Sequence, residues 1–180
     1  MSDKIIIDGQ TMLRTLARLA HEIIERNPDA DKLYLIGIKR RGVPLSKILK
    51  RNIEMFSDIS VELGELDITL YRDDLSERYD APRLSSSKID FDVNSKPIIL
   101  VDDVIYTGRT ARAAMDAIME LGRPSVIQLA VMVDRGHREL PIFANYVGKN
   151  IPTSKDEFVS VRVEETDGVN EVAISAKSVM

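Results

Sequence analysis

Residues 97–110 constrain the fold more than any other stretch of this chain. Four apolar residues, Ile98, Ile99, Leu100 and Val101, follow Pro97. A run without alternation reads as a strand buried on both faces, the kind that parallel sheets contain. Two adjacent carboxylates, Asp102 and Asp103, come where that strand should end, and Val104, Ile105 and Tyr106 lead on to Thr107, Gly108, Arg109 and Thr110. These last four supply hydroxyls, a flexible backbone and a cation. A helical pattern follows at once, carried by Ala111, Ala114, Met115, Ile118 and Leu121. Strand, acidic pair, hydroxyl-rich turn and helix N-terminus in one run make a sugar-phosphate site. Backbone N–H groups and the helix dipole favour an anion at the turn, and carboxylates accept hydrogen bonds from ribose hydroxyls. The Gly-Lys-Ser/Thr ending of a mononucleotide P-loop is absent.

Elsewhere strands and helices alternate. Ile5, Ile6 and Ile7 read as a short strand, with Asp8 placed to cap a helix. From Gln10 to Arg26 the apolar residues Met12, Leu13, Leu16, Ala20, Ile23 and Ile24 recur at helical spacing, and Asn27, Pro28 and Asp29 stop the helix. Its other face carries Arg14, Arg18 and His21, with Arg26 near its end; this is either a solvated face or a cationic surface for phosphates. Leu33 to Ile38 is an apolar strand, followed by Lys39, Arg40, Arg41 and Gly42 and a helix with Pro44 in its first turn. Basic residues and glycine between strand and helix suit an anion, although a charged turn also accounts for them. Val61 to Tyr71 reads as a further strand with a bulge at Gly64. From Leu75 to Lys96 periodicity fails. A loop of about 72–96, with Tyr71 and Arg72 at its base, is therefore expected to be the flexible element that closes over the site. Val126 to Val133 is another buried strand, residues 134–140 form a polar loop, and a strand-like run from Ile142 leads to Tyr146 and Val147. Phe158–Val163 and Val172–Ile174 are closing strands.

This alternation implies an α/β fold built on a mainly parallel sheet. Ligands then sit at the carboxyl ends of its strands, where the loops at Arg40, at Asp102 and Asp103, and at Asp134 converge. The 180 residues suggest one domain across 1–180, and no internal repeat or second core is visible. There is no cysteine, hence no disulfide framework or thiolate metal site, and a cytoplasmic location is expected. No apolar run approaches the ~20 residues of a membrane span. The first residues lack a signal-peptide pattern. A net charge of −4 means that nucleic-acid binding would need a local basic patch.

The run Ile98–Thr110 resembles the phosphoribosyl-pyrophosphate (PRPP) motif of the type I phosphoribosyltransferases, with apolar strand, paired acids, Thr-Gly and closing hydroxyl in register. Longer runs resemble one branch of that family, the bifunctional pyrimidine-operon attenuation regulators and uracil phosphoribosyltransferases. These runs are Gly37 to Lys39 with Arg41 and Gly42, then Asp67 to Asp74, Val133 to Pro141, and Tyr146 to Ser154. The resemblance implies a twisted, mainly parallel sheet flanked by helices, with a small hood and a flexible loop. It implies transfer of ribose 5-phosphate from PRPP to uracil, giving UMP and pyrophosphate with Mg²⁺. It also implies UMP-dependent binding of pyrimidine-operon leader mRNA, which is transcription attenuation.

On that resemblance, Asp102 and Asp103 hold the ribose hydroxyls and favour an oxocarbenium-like centre, Thr107, Gly108, Arg109 and Thr110 hold the 5-phosphate, and Val104, Ile105 and Tyr106 belong to the same PRPP-binding run. Arg40, Arg41 and Gly42 receive pyrophosphate, with Mg²⁺ held mainly by substrate oxygens rather than by the protein. Closure of the loop after Arg72 excludes water. Val133, Asp134, Arg135, Tyr146 and Val147 form the uracil side. Tyr106 stands where purine-using relatives place an acid, which argues against a purine; a packing tyrosine is the plainer alternative. Arg14, Arg18, His21, Arg26, His137, Arg138 and Lys149 match RNA-contact positions, while Ala17 replaces a common hydroxyl and Phe143 a common arginine. The expected partners are PRPP, uracil, UMP or UTP, and leader mRNA, in a homodimer or higher assembly. The alternatives are an RNA-binding nucleotide sensor with little catalysis, an enzyme without the RNA role, and a purine phosphoribosyltransferase.

Overall fold

The structure, a computed structural model, describes residues 3–71 and 87–176. In chain order β1 (Lys4–Ile7) precedes α1 (Gly9–Arg26), and β2 (Lys32–Ile38) precedes α2 (Gly42–Phe56). Then come β3 (Ser60–Leu66), a single 3₁₀ turn at Thr69–Tyr71, β4 (Pro97–Ile105), α3 (Arg109–Leu121), β5 (Val126–Asp134) and β6 (Tyr146–Asn150). β7 (Glu157–Arg162), α4 (Glu164–Asp167) and β8 (Glu171–Ala176) complete the described chain.

Five strands pair in parallel in the order β3-β2-β4-β5-β6. From β2 the chain moves outward to β3, then returns to β4 and moves the other way. The crevice at the carboxyl ends of β2 and β4 is thus the topological switch point, where open α/β sheets bind ligands. β4 is buried as its composition requires. Ile99 and Val101 enter the core beneath α1 and α2, while Ile98 and Leu100 enter the core beneath α3. Burying each such side chain stabilises the fold by about 2 kcal/mol. At the start of α1, Asp8 Oδ1 accepts the Thr11 amide at 2.8 Å, as the cap position predicts. β1, β8 and β7 form a second, antiparallel sheet in that order, the hood. Val161, Val163 and Val172 join it to the core under α1 and α2.

Four sequence expectations need correction. The strand expected over Val61–Tyr71 stops at Leu66, because Asp67 Oδ1 accepts the Thr69 amide at 3.0 Å and its hydroxyl at 2.6 Å, which turns the chain into the 3₁₀ segment. Gly64 is no bulge: it pairs in regular register with Ile36. Its missing side chain makes room for Ile89 and Phe91, which a Cβ would meet at 3.0 and 3.5 Å. Residues 87–96, read as part of a structureless loop, are sewn into the fold. Lys88 bridges Glu65, and Val93 is buried with Ile89 and Phe91 packed beside it. Of the loop expected at about 72–96, residues 72–86, Arg72 included, lie outside the described residues. The run from Ile142 becomes a strand only at Tyr146.

Candidate active site

The end of β4 carries the acidic pair. Register sets Asp102 opposite Val131 and Ile105 opposite Asp134, so both carboxylates emerge at the carboxyl edge. Asp102 Oδ1 accepts the Asp103 amide at 2.9 Å, and Asp103 Oδ1 accepts the Val104 amide at 2.8 Å. Burial, and then the negative charge of Asp103, pushes the Asp102 carboxyl well above the usual carboxylate range. Burial raises Asp103 as well, against the pull of its amide hydrogen bonds and of Arg41.

Beyond the pair the chain turns through Tyr106 and Thr107 to Gly108, which caps α3 with φ +94°, a conformation that favours glycine. The Arg109 amide donates to Thr107 Oγ1 at 3.3 Å, whereas the amides of Thr107 and Gly108 have no acceptor among the described residues. A cavity of about 260 Å³ lies between Asp102, Val104 and the turn 106–111, floored by Leu129 and Val131. Free amides at a helix N-terminus suit an anion there. A second, more open cleft of about 600 Å³ shares Asp102, Val104 and Thr110 with the first and is walled by Arg40, Arg41 and Asp103. The Lys39–Arg40 peptide is cis. Arg40 is exposed and makes no hydrogen bond or ion pair to a described residue. Gly42 touches the end of β4: a Cβ there would stand 2.2 Å from the Val101 carbonyl oxygen. That contact brings the basic loop against the acidic pair.

Arg41 is already partnered. Its Nε and Nη2 donate to the two carboxylate oxygens of Asp167 in α4 at 3.0 and 2.9 Å. Sequence reasoning missed Asp167, which lies between two closing strands and far along the chain from Arg41.

The loop after β5 is tied to the turn after β4. Glu139 and Leu140 amides donate to the Thr107 carbonyl at 2.9 and 3.1 Å, and Arg138 Nη1 donates to the Tyr106 carbonyl at 2.9 Å. Arg138 Nη2 also bonds Asp134 Oδ2 at 2.5 Å. Arg135 is 6% exposed and its guanidinium donates to Thr153 Oγ1, the Ser154 carbonyl and the Glu157 carbonyl. His137 also meets the Thr153 carbonyl. Thr153 is therefore a further member of this edge, within a run singled out only for its resemblance. Asp134 and Arg135 reach the carboxyl edge; Val133 is fully buried one residue below. Val147 is level with Asp102 through Val131, and Tyr146 stands one residue below it. They pair with Ala130 and Val131, and the Tyr146 ring is buried beneath α1, its hydroxyl donating to Gln128 at 3.0 Å. Of the two, Tyr146 is turned into the core rather than toward the cleft; Asn150, opposite Asp134, is the β6 residue at the strand end.

The residues expected to meet RNA divide in two. Arg14 and Lys149 are exposed, and their side chains make no hydrogen bond or ion pair to a described residue. Arg18 pairs with Glu22 and donates to the Val147 carbonyl at 3.2 Å, fastening α1 to β6. His21 stacks on Phe56, ring centres 4.4 Å apart, and Arg26 lies over the Tyr146 ring. Phe143 is 75% exposed.

Carboxylate and hydroxyl oxygens of Asp67, Thr69, Asp102 and Asp103 border the open cleft, a donor set suited to a hard cation. No group of three or more His, Cys, Asp or Glu among the described residues could cage an ion. Also among them, no helix is long and apolar enough to cross a membrane.

A parallel sheet with paired acids and two anion-receptive cavities at its switch point is the design of the phosphoribosyltransferases. The Phosphoribosyl transferase domain family model matches residues 2–166. The hypoxanthine phosphoribosyltransferase of Trypanosoma cruzi has the same fold, with TM-score 0.75 over 98% of both chains at 18% identity. A hypoxanthine-guanine phosphoribosyltransferase from Bacillus anthracis gives 0.69 over 96% of this chain and 98% of that one, at 21% identity. Proteins named Bifunctional protein PyrR are much closer in sequence. That of Clostridium novyi is 57% identical over 173 residues, 96% of this chain and 97% of its own length. That of Acetivibrio thermocellus is 56% identical over 176 residues, 97% and 96%. The chain belongs to the PyrR family of phosphoribosyltransferases.

Proposed function

We propose that this protein transfers the 5-phosphoribosyl group of PRPP to uracil, forming UMP and pyrophosphate, and that its UMP-bound form binds pyrimidine-operon leader mRNA to regulate transcription by attenuation. The observation that carries the enzymatic reading is the pair of cavities sharing the Asp102 wall. One offers free amides, the other basic side chains, and two carboxylates lie between. PRPP has the matching order: a 5-phosphate, ribose hydroxyls, then a pyrophosphate.

In this reading residues 107–110 hold the 5-phosphate, and Asp102 and Asp103 hold the ribose hydroxyls. The C1–oxygen bond to pyrophosphate breaks, its electron pair leaving with that group. Uracil N1 bonds to C1 and releases its proton to water. Arg40 and Arg41 receive the departing anion. Carboxylates beside C1 stabilise the positive charge that develops there. Mg²⁺, when bound, neutralises pyrophosphate charge, and Asp102 and Asp103 are the residues best placed to meet it alongside substrate oxygens. Asp134 and Arg135 border the base, and Tyr106 occupies the position where a purine enzyme would need an acid. A cytoplasmic location and a homodimeric or higher assembly fit this role.

The test is pyrophosphate release from PRPP with Mg²⁺ and uracil, guanine or hypoxanthine. Release with uracil alone is expected; none with uracil, or preference for a purine, overturns the assignment. For the regulatory half, filter binding of leader transcript should tighten when UMP is added. Equal binding with and without UMP overturns that half.

A further inference from the structure

A clasp joins α4 to the basic loop. Asp167 takes the Nε and Nη2 edge of Arg41 with both carboxylate oxygens, at 3.0 and 2.9 Å. The guanidinium has five N–H donors, and this fork–fork pairing uses two. The other edge, with both Nη1 hydrogens and one on Nη2, remains, and Arg41 lines the open cleft beside Asp103. Asp167 is itself held, since its Oδ2 accepts the Val163 amide at 2.9 Å. Val163 is 1% exposed and belongs to the core under α1 and α2. The hood therefore stays seated without the clasp, and Lys47–Glu165 gives it a second tie at 2.5 Å.

From this we infer that Asp167 is a positioning residue for the pyrophosphate end of PRPP: it locks Arg41 with its free edge toward the cleft. A flexible arginine must otherwise be ordered each time the anion binds, and that ordering opposes affinity. The inference rests on the proposed pyrophosphate role of the cleft. UMP lacks pyrophosphate, so its binding should not depend on the clasp.

The experiment measures pyrophosphate and UMP binding by calorimetry, and KM and kcat for PRPP, in wild type, Asp167→Ala, Asp167→Asn, Arg41→Ala and the Asp167→Ala/Arg41→Ala double variant. Asp167→Ala should raise the pyrophosphate Kd and the KM for PRPP about tenfold, the effect usual when an outer partner of a ligating group is removed. UMP affinity should stay unchanged. Asp167→Asn, which keeps one acceptor oxygen, should lie between. In the Arg41→Ala background the Asp167 change should have no further effect, because it acts through Arg41. Additive losses, or equal weakening of UMP and pyrophosphate, would mean that Asp167 only supports the hood and would overturn the inference. Unaltered pyrophosphate binding in Asp167→Ala would overturn it too, leaving the enzymatic reading intact. Wild-type protein that binds no pyrophosphate or PRPP would overturn both.

Discussion

The guanidinium carbon of Arg135 stands 4.0 Å from the centre of the Tyr106 ring. Three hydrogen bonds fix that guanidinium from behind, and the ring belongs to the turn that bounds the anion cavity. Lysine keeps the charge but neither the flat face nor the fork. Arg135→Lys should therefore loosen Tyr106 and weaken UMP binding by about 1 kcal/mol, roughly fivefold in Kd. Calorimetric titration with UMP checks this. A lowered melting temperature with unchanged UMP affinity would reduce Arg135 to a structural tie.

The acidic pair makes a prediction in pH. Burial and the neighbouring Asp103 raise the Asp102 carboxyl, so it holds its proton more tightly folded than unfolded. Its contribution to stability is fully present below the ordinary carboxylate pKa and is lost as pH rises through the raised folded value. Asp102→Asn, which stays neutral, should melt close to wild type near pH 4 and above it at pH 7.5, each 1 kcal/mol giving about 2–4 °C. Its PRPP affinity should fall at the same time. Parallel melting curves across that range would contradict the raised pKa.

Backbone contact at Gly42 permits no side chain. An alanine methyl would lie 2.2 Å from the Val101 carbonyl oxygen, so the start of α2 must move away from β4. Gly42→Ala should cost about 1–3 kcal/mol and should weaken PRPP binding by displacing Arg41. Thermal denaturation and PRPP titration together test this. Wild-type values in both would show that the two segments separate without consequence.

Leader-RNA binding should separate the free cations from the fastened ones. Arg14→Ala and Lys149→Ala should each weaken binding across sequences and reduce the slope of log K against log salt by about 1. Arg138→Ala should act differently. It removes bonds to Asp134 and the carbonyls of Tyr106 and Ile142, so UMP affinity should fall before any RNA is added. Titrations at several salt concentrations, with and without UMP, distinguish the two patterns.

The sheet, its helices and the meeting of Arg40, Asp102 and Asp134 at one edge were legible because they follow from short-range pattern. Four apolar residues demand a strand buried on both faces, and helical spacing marks α1 and α3. What depended on distant packing was not. Nothing around Gly64 announces that it makes room for Phe91, and the β-rich composition of residues 61–71 hid the turn made by Asp67. Tyr146 looked available for a base because its neighbours resemble a family motif; its burial beneath α1 depends on packing that no local pattern shows. The Arg41–Asp167 bond joins residues on opposite sides of the sequence, and no local pattern carries such a pair.

The hood has a consequence for the order in which the protein is assembled. Its middle strand, β8, lies between β1 and β7, so the first and last of the described strands are direct neighbours. β2 to β6 can pair while synthesis continues, but β1 must wait for residues 172–174. Contacts that span so much of the chain close slowly. A nascent chain would accordingly carry its paired acids and basic loop before Asp167 can reach Arg41, and competence for PRPP should be among the last properties to mature.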